Sequence, residues 1–443
     1  MKTIKIGLVG FGTIGTGVAK LLLLHKERIS RRTGFDVQLV KIVDTDLARD
    51  RGIPLPEGIL SADYHDILND PEVSIVVQLI GGTGIERTIM LEMLAAGKNI
   101  VTANKALLAT HGEEIFEAAR QKNASVAFEA AVGGGIPIIA AIAESLAANE
   151  IQSIHAILNG TCNFILSNME EHGSSYASTL KEAQRLGYAE ANPAMDVEGM
   201  DTAQKLAILS HIAFGVNPDW KQIPRIGIET VDGVDFRYAN MLGYSIKLLA
   251  IARRIKASDG EMDRLELSVS PTLVSKSSPL GDVKGAFNAV SVIGDAVGHS
   301  FYYGLGAGEM PTASAVVADV IDTIVGRTKI TFDTLELWNP SRKVRSDIQL
   351  AAPESVVGKY YLRVLVEDRA GVMAEVANAL GSSGISIASL IQEGTSDEDN
   401  RFVQLIIMTH ETTEGAVDGA VEKLSHLDCV KSDIIRMRIY DEK

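Results

Sequence analysis

The hydrophobic pattern opens with a run, Thr3–Val9, that alternates and then turns fully apolar, which predicts a buried strand. An amphipathic stretch with Val18, Leu21, Leu22 and Ile29 follows, and then a second apolar run over residues 35–43. The alternation continues with a strand at 73–80, a helix ending near Met93, a strand at Asn99–Thr102, a helix at 112–121 and a strand at 125–128. Strands apolar on both faces and interleaved with helices predict a parallel sheet covered on both sides. From Ile151 the pattern becomes alternating strands mixed with helices, beginning with a strand at 151–158. A helix starting near Gly199 runs without a breaker through residues 202–213. A polar linker at 341–355 precedes strands and helices in the order βαββαβ, with strands at 360–366, 385–393, 402–409 and 430–439 and helices at 372–380 and 414–424. The expected class is α/β and α+β.

With 443 residues, the chain is long enough for more than one core, and three domains are expected. The 57 acidic against 42 basic residues give a net charge of −15, and no dense Lys/Arg run occurs, so the footprint of a nucleic-acid binder is missing. No apolar run reaches membrane-spanning length. The opening Met1-Lys2-Thr3-Ile4 invites a secretion-signal reading, but Gly10, Gly12, Gly15 and Gly17 puncture the run and Lys20 interrupts it. Two cysteines, Cys162 and Cys429, are too few for a disulfide framework and fit a reducing cytoplasm.

Gly10-Phe11-Gly12-Thr13-Ile14-Gly15 stands between the first strand and the first helix. Glycine is needed there for the tight turn, for backbone approach to a pyrophosphate and for close helix packing, with the helix N-terminus facing the phosphates. Asp44 ends the second strand, where an acidic residue would receive ribose hydroxyls; the alternative is a simple loop cap. Arg49 and Arg51 follow closely and suit a 2′-phosphate, which leaves NAD and NADP both open. Gly81-Gly82 closes the strand at 73–80, and Lys105 lies at the carboxyl end of another strand, where ligands of such sheets sit. Glu129 with Gly133-Gly134-Gly135 and Pro137 reads equally as an ion-binding loop or as a crossover between domains. Asp201 and Lys205 are four apart on a largely apolar helix, which favours a buried site over a surface ion pair.

Gly187-Tyr188, Asn192-Pro193, Asp196, Gly199, Asp201 and Lys205 together resemble the homoserine dehydrogenase signature, and Asn159 to Leu166 and Gly304 to Thr312 resemble other segments of that family. The resemblance covers residues 1–340. It implies reversible NAD- or NADP-dependent reduction of L-aspartate 4-semialdehyde to L-homoserine, in the pathway to threonine, methionine and isoleucine. By the same resemblance Lys205 is the proton donor, Asp201 positions it or binds substrate, and Lys105 is a second candidate acid. Glu190 takes the substrate ammonium, with Asp196 beside it. Gly187 and Gly308 approach the cofactor, as do the glycine turn, Asp44, Arg49, Gly81 and Lys105. Glu129, Val132, Gly134 and Ile136 match a structural site for sodium or potassium.

The implied domains are a Rossmann-like NAD(P)-binding domain at 1–135, completed by a helix at 309–340, and an α+β catalytic and dimerisation domain at 136–308. The C-terminal order at 356–443 resembles the ferredoxin-like ACT domain, an amino-acid sensor, with Asp368 and Gly371 in its ligand loop. L-threonine is the expected effector and a homodimer or homotetramer the expected assembly, with a plain dimerisation module as the alternative. Two other readings compete: a semialdehyde dehydrogenase using Cys162 as a covalent thiol, and a sensor that binds NAD(P) without turnover.

Overall fold

A computed structural model of the chain describes residues 1–257, 261–335, 348–392 and 401–441. Residues 341–347 of the expected linker, residues 336–340 of the expected helix at 309–340, and Glu393 lie outside the described residues. The chain divides into two compact units, the first of residues 1–152, 204–222 and 288–347, the second of 153–203, 223–287 and 348–443.

The first unit is built on β1 (Thr3–Val9), β2 (Asp36–Val43), β3 (Leu60–Ser61), β4 (Val73–Gln78), β5 (Asn99–Thr102) and β6 (Val126–Ala127). They form one six-stranded sheet in the order β3-β2-β1-β4-β5-β6, all pairs parallel, the order of a dinucleotide-binding sheet. Its core packs Ile6, Leu8, Ile75, Val77 and Val101 of the strands against Val18 and Leu22 of helix Thr13–Leu24 and Val316 and Val320 of helix Glu309–Ile324. The two helices come close because Gly17 has no side chain; a Cβ there would stand 2.9 Å from the Ala313 methyl. A 2.6 Å ion pair, Lys20–Glu309, closes one end of that contact.

In the second unit β7 (Ile151–Ile157), β8 (Tyr244–Ile255) and β9 (Asp263–Ser275) run antiparallel in turn. The strands β10 (Phe287–Gly294) and β11 (Gly298–Leu305) belong mainly to the first unit. Next come β12 (Ile348–Leu350), β13 (Val357–Glu367), β14 (Ile387–Gln392), β15 (Phe402–Thr409), β16 (Thr412–Thr413) and β17 (Ile435–Tyr440). With helices Val372–Gly381 and Glu414–Ser425 they give the expected βαββαβ order. The C-terminal strands continue the sheet of β7, β8 and β9, in the sequence β7-β8-β9-β17-β13-β15-β14, through a parallel pairing of β17 with β9. Leu362, Val364, Leu405 and Ile407 pack with Val376, Leu380, Val417 and Leu424 as a core of their own.

The structure revises several element bounds. Helix Lys105–Gln121 starts seven residues before the expected 112, and leaves helical geometry at His111. The last strand begins at Ile435: Val430 makes only an isolated bridge to Val366, and residues 431–434 are irregular, with a bend at Ser432. The helix expected after Pro137 is a short turn, Ile138–Ala140, that widens into a π-helix at Ala141–Ser145.

Candidate functional site

In the first unit the glycine turn is shaped by backbone crowding. Gly10 has φ +99°, and a Cβ on Gly15 would lie 2.1 Å from the Gly10 carbonyl oxygen, so both positions exclude a side chain. Gly12 is the N-cap of helix Thr13–Leu24 and has no side chain to cap it; no described atom lies within 4 Å of where its Cβ would be. Thr13 and Ile14 start the helix, whose first-turn N–H groups take no side-chain cap. This is the cradle a pyrophosphate requires, so the residues present fit a dinucleotide.

Asp44 is drawn into the turn itself, accepting a 2.6 Å bond from the Phe11 N–H and a 2.9 Å bond from the Asp46 N–H. Arg51 closes over the same place: its Nη2 is 3.4 Å from Asp44 Oδ1, its Nε donates to the Phe11 carbonyl at 2.9 Å, and its guanidinium lies 4.7 Å from the Phe11 ring centroid. Arg49 is exposed, and its N–H bonds Asp46. Of the two arginines that spacing left equivalent, the fold brings Arg51 to the turn.

At the carboxyl ends of β4 and β5 lies a polar network that pattern reading missed. Thr102 Oγ1 donates to Gln78 Oε1 at 3.0 Å, the Asn104 N–H donates to Thr102 Oγ1 at 3.1 Å, and Asn104 Nδ2 reaches the Ile80 and Gly82 carbonyls at 3.0 and 2.7 Å. Asn104 also caps helix Lys105–Gln121, accepting from the Leu107 N–H. Lys105 therefore leaves a fixed helix start, and Gly81 opens to space with no described atom within 4 Å of a Cβ. Asparagine is a favoured helix cap, but the signal at Asn104 was hidden because the expected helix began only at 112.

Glu129 is buried beside helix Ile138–Ala140, its two oxygens each taking a 2.8 Å bond, from the Ile139 and Ala140 N–H groups. Burial pushes this carboxyl up to about 7 despite those bonds. Its own N–H donates to Asp319, whose carboxyl burial also raises. Val132 and Ile136 are buried, and Gly134 has φ +56° with its Cβ position 2.4 Å from the Gly306 carbonyl oxygen. A carboxylate and main-chain oxygens are the donor types a monovalent cation takes, and here both Glu129 oxygens already accept backbone N–H bonds. Gly308, with φ +121°, is the N-cap of helix Glu309–Ile324.

In the second unit, Asn159 caps helix Gly160–His172 through its Oδ1, which accepts from the Cys162 N–H at 2.8 Å. Its Nδ2 donates to both Asp196 Oδ1, at 2.7 Å, and Asp201 Oδ2, at 2.9 Å. One asparagine thus sets the spacing of two carboxylates that are five apart in sequence. Asp201 is buried, and Lys205 follows it by one turn on helix Met200–Phe214, within which the division between the units falls. Gly187, at φ +78°, ends the preceding helix; Gln184 Nε2 holds the Glu190 carbonyl at 3.1 Å and leaves the Glu190 side chain exposed. The Cys162 thiol is fully buried and donates to the Asp196 carbonyl at 3.2 Å. It props the loop and offers no accessible nucleophile.

In the C-terminal module Gly371, at φ +95°, is the N-cap of helix Val372–Gly381, and the Asp368 N–H bonds the Arg401 carbonyl at 2.8 Å. Arg369 in the same exposed loop pairs with Glu367 and Glu375.

A family model described as homoserine dehydrogenase matches residues 137–321, one described as homoserine dehydrogenase, NAD binding domain, matches 10–129, and one described as ACT domain matches 360–426. Over 444 residues the chain is 43% identical to the homoserine dehydrogenase of Neisseria gonorrhoeae, with 99% of each chain covered. The chain belongs to the homoserine dehydrogenase family. It is 42% identical to the homoserine dehydrogenase of Pseudomonas aeruginosa over 441 residues, again with 99% of each covered. The crystal structure of a homoserine dehydrogenase from Thiobacillus denitrificans matches with a TM-score of 0.90 at 43% identity, over 100% of this chain and 99% of that one. The protein is accordingly an NAD(P)-dependent oxidoreductase acting on a CH–OH group, with a C-terminal ACT domain. The covalent-thiol and non-catalytic alternatives fall with that membership. Among the described residues no helix is long and apolar enough to cross a membrane.

Proposed function

We propose that the enzyme interconverts L-aspartate 4-semialdehyde and L-homoserine, with Lys205 as proton donor. The observation that carries this reading is the convergence of Asp196 and Asp201 on Asn159, one helical turn ahead of Lys205. NAD(P)H, when bound, supplies the hydride. As the aldehyde carbon is reduced, negative charge grows on its oxygen, and an ammonium in reach stabilises that charge and delivers the proton. Asp201, fixed by Asn159, orients that amine or holds the substrate's polar end, with Asp196 beside it. The exposed Glu190 carboxylate takes the substrate ammonium, and Lys105 is the second cation near the reacting centre.

Gly10 to Gly15, Gly81, Gly187 and Gly308 are assigned to the cofactor by the family resemblance; Gly12, Gly81 and Gly187 leave open space, while Gly10 and Gly15 shape the turn. Asp44 and Arg49 flank the adenosine end with Arg51, so both NAD and NADP are accepted. Glu129 and the carbonyls of Val132, Gly134 and Ile136 hold sodium or potassium as a structural ion. The functional modules are residues 1–135 with 309–340, 136–308 and 356–443. The last senses an amino acid, L-threonine, in a cytoplasmic homodimer or homotetramer; the ACT resemblance assigns the ligand to the loop from Asp368 to Gly371.

The test is homoserine-dependent reduction of NAD⁺ and of NADP⁺ by the wild type and by Lys205→Ala. Both cofactors are expected to work within about a thousandfold of each other, roughly 4 kcal/mol. Lys205→Ala lowers kcat by roughly two to four orders of magnitude while NAD(P)H still binds by fluorescence titration. Unimpaired turnover in that variant would transfer the acid's role to Lys105.

A further inference from the structure

Strand β9 is paired along one edge with β8 throughout. Its other edge is covered by three segments in turn. The strand β12 pairs with residues 263–265, the segment 224–226 bonds Val269 from both sides at 2.9 Å, and β17 pairs with residues 272–274. Beside the junction of the last two lies a cavity of about 270 Å³. Its charged lining comes from both modules: Arg225 from the segment 224–226, Arg436 and Arg438 from β17, and Glu414 and Asp418 from helix Glu414–Ser425, above Ser268 of β9.

Within this lining Arg438 is clamped between Glu266 of β9 and Glu414, the latter at 3.2 Å, and Arg436 bonds Glu414 at 3.1 Å and also Asp418. Guanidinium forks and carboxylates in one small space match a ligand that carries both signs a few ångströms apart, since an α-carboxylate takes a bidentate guanidinium and an ammonium takes a carboxylate. The volume lies below the roughly 300–1,000 Å³ of pockets for drug-sized ligands, which selects a small one.

The cavity wall is also tied to the substrate loop. The Ile228 N–H donates to the Val197 carbonyl at 2.9 Å, and a Cβ on Gly227 would stand 2.6 Å from that oxygen. Gly199 packs at the same place, its Cβ position 3.1 Å from Val269 and 4.0 Å from Arg225. Val197 and Gly199 lie between Asp196 and Asp201. A shift of residues 224–228 therefore displaces the backbone that spaces the two carboxylates.

We propose that this cavity, at the seam between the ACT module and the catalytic sheet, is a binding site for a free α-amino acid, whose occupation acts on the substrate loop through residues 224–228. The proposal rests on the regulatory reading above and places the ligand at the seam instead of the loop from Asp368 to Gly371. Such coupling requires that the ligand favour one of two loop arrangements.

The experiment uses the full-length enzyme, its activity and titration calorimetry, with each common amino acid in turn and with 3-hydroxybutyrate as the carboxylate that lacks an ammonium. An amino acid is expected to bind and to change the KM for homoserine more than that for the cofactor, while 3-hydroxybutyrate does neither. Read against each variant's own uninhibited rate, Asp418→Asn and Arg225→Gln raise its half-maximal concentration about tenfold or more, and Asp368→Ala changes it less than about twofold. Loss of the response in Asp368→Ala with none in the seam variants would overturn the seam site and leave the regulatory reading standing. Absence of binding and effect for every amino acid would overturn both.

Discussion

His211 stands on the buried face of helix Met200–Phe214, 8% exposed, and burial holds its imidazole down at about 4. The unfolded chain takes up the proton near pH 6.5 and the folded chain only near 4. The resulting stability is present above pH 6.5 and is lost progressively as pH falls towards 4, by about 3 kcal/mol for a shift of this size. His211→Asn removes the titrating group. The difference in denaturation midpoint between wild type and variant should therefore shrink as the pH is lowered from 7 to 4, and a constant difference would show that His211 does not titrate in this way. At this scale the sequence singled out Asp201 and Lys205 as candidates by their spacing on an apolar helix, and Asp196 and Glu190 through the family resemblance. It did not mark Asn159, Asn104 or Arg51 as organisers, since an amide or guanidinium is assigned a role only by what the fold places against it.

Helix Gly233–Met241 shows how one element is joined to another. Asp232 and Asp235 form its capping box, and Asp235 is fully buried. The same Asp235 carboxylate receives both arms of Arg363 on β13, at 2.7 and 3.0 Å, and the Tyr361 hydroxyl at 2.9 Å. A cap of the catalytic region is therefore also the anchor of the ACT strand. Asp235→Ala leaves the mostly buried Arg363 guanidinium unpaired and is expected to cost about 3 kcal/mol. The double variant Asp235→Ala/Arg363→Met should recover part of that loss, because no charge is then stranded. Thermal unfolding of the three proteins decides it; equal midpoints for the single and double variants would contradict the pairing argument. Helix and strand order was legible from periodicity, whereas these anchors join residues more than a hundred positions apart.

At the level of the whole molecule, the residues proposed for catalysis and cofactor all precede Thr312, so the C-terminal residues are expected to be dispensable for chemistry. They have a second task in the sheet, since β12 and β17 cover an edge of β9. A chain truncated after residue 347 exposes that edge, with unpaired backbone groups along Leu265 and at residues 272–274. It is expected to retain turnover, to lose the amino-acid response and to associate as its concentration rises. Light scattering beside the activity assay measures both; a monodisperse truncated chain whose association state matches the full-length enzyme would show that β9 does not depend on this cover.

By itself the sequence determined the repeating strand and helix order, the glycine turn, the acidic residue ending β2 and the spacing of the signature from Gly187 to Lys205. All of these are local, set by side-chain periodicity, backbone freedom and residue chemistry within a few turns. Only the tertiary structure decided that Arg51 and not Arg49 closes on the turn, that Asn159 spaces Asp196 and Asp201, and that β17 joins the ACT module to the catalytic sheet. Those outcomes depend on which distant backbone edges pair and which buried polar groups must find partners, and neither condition is written in any one stretch of the chain.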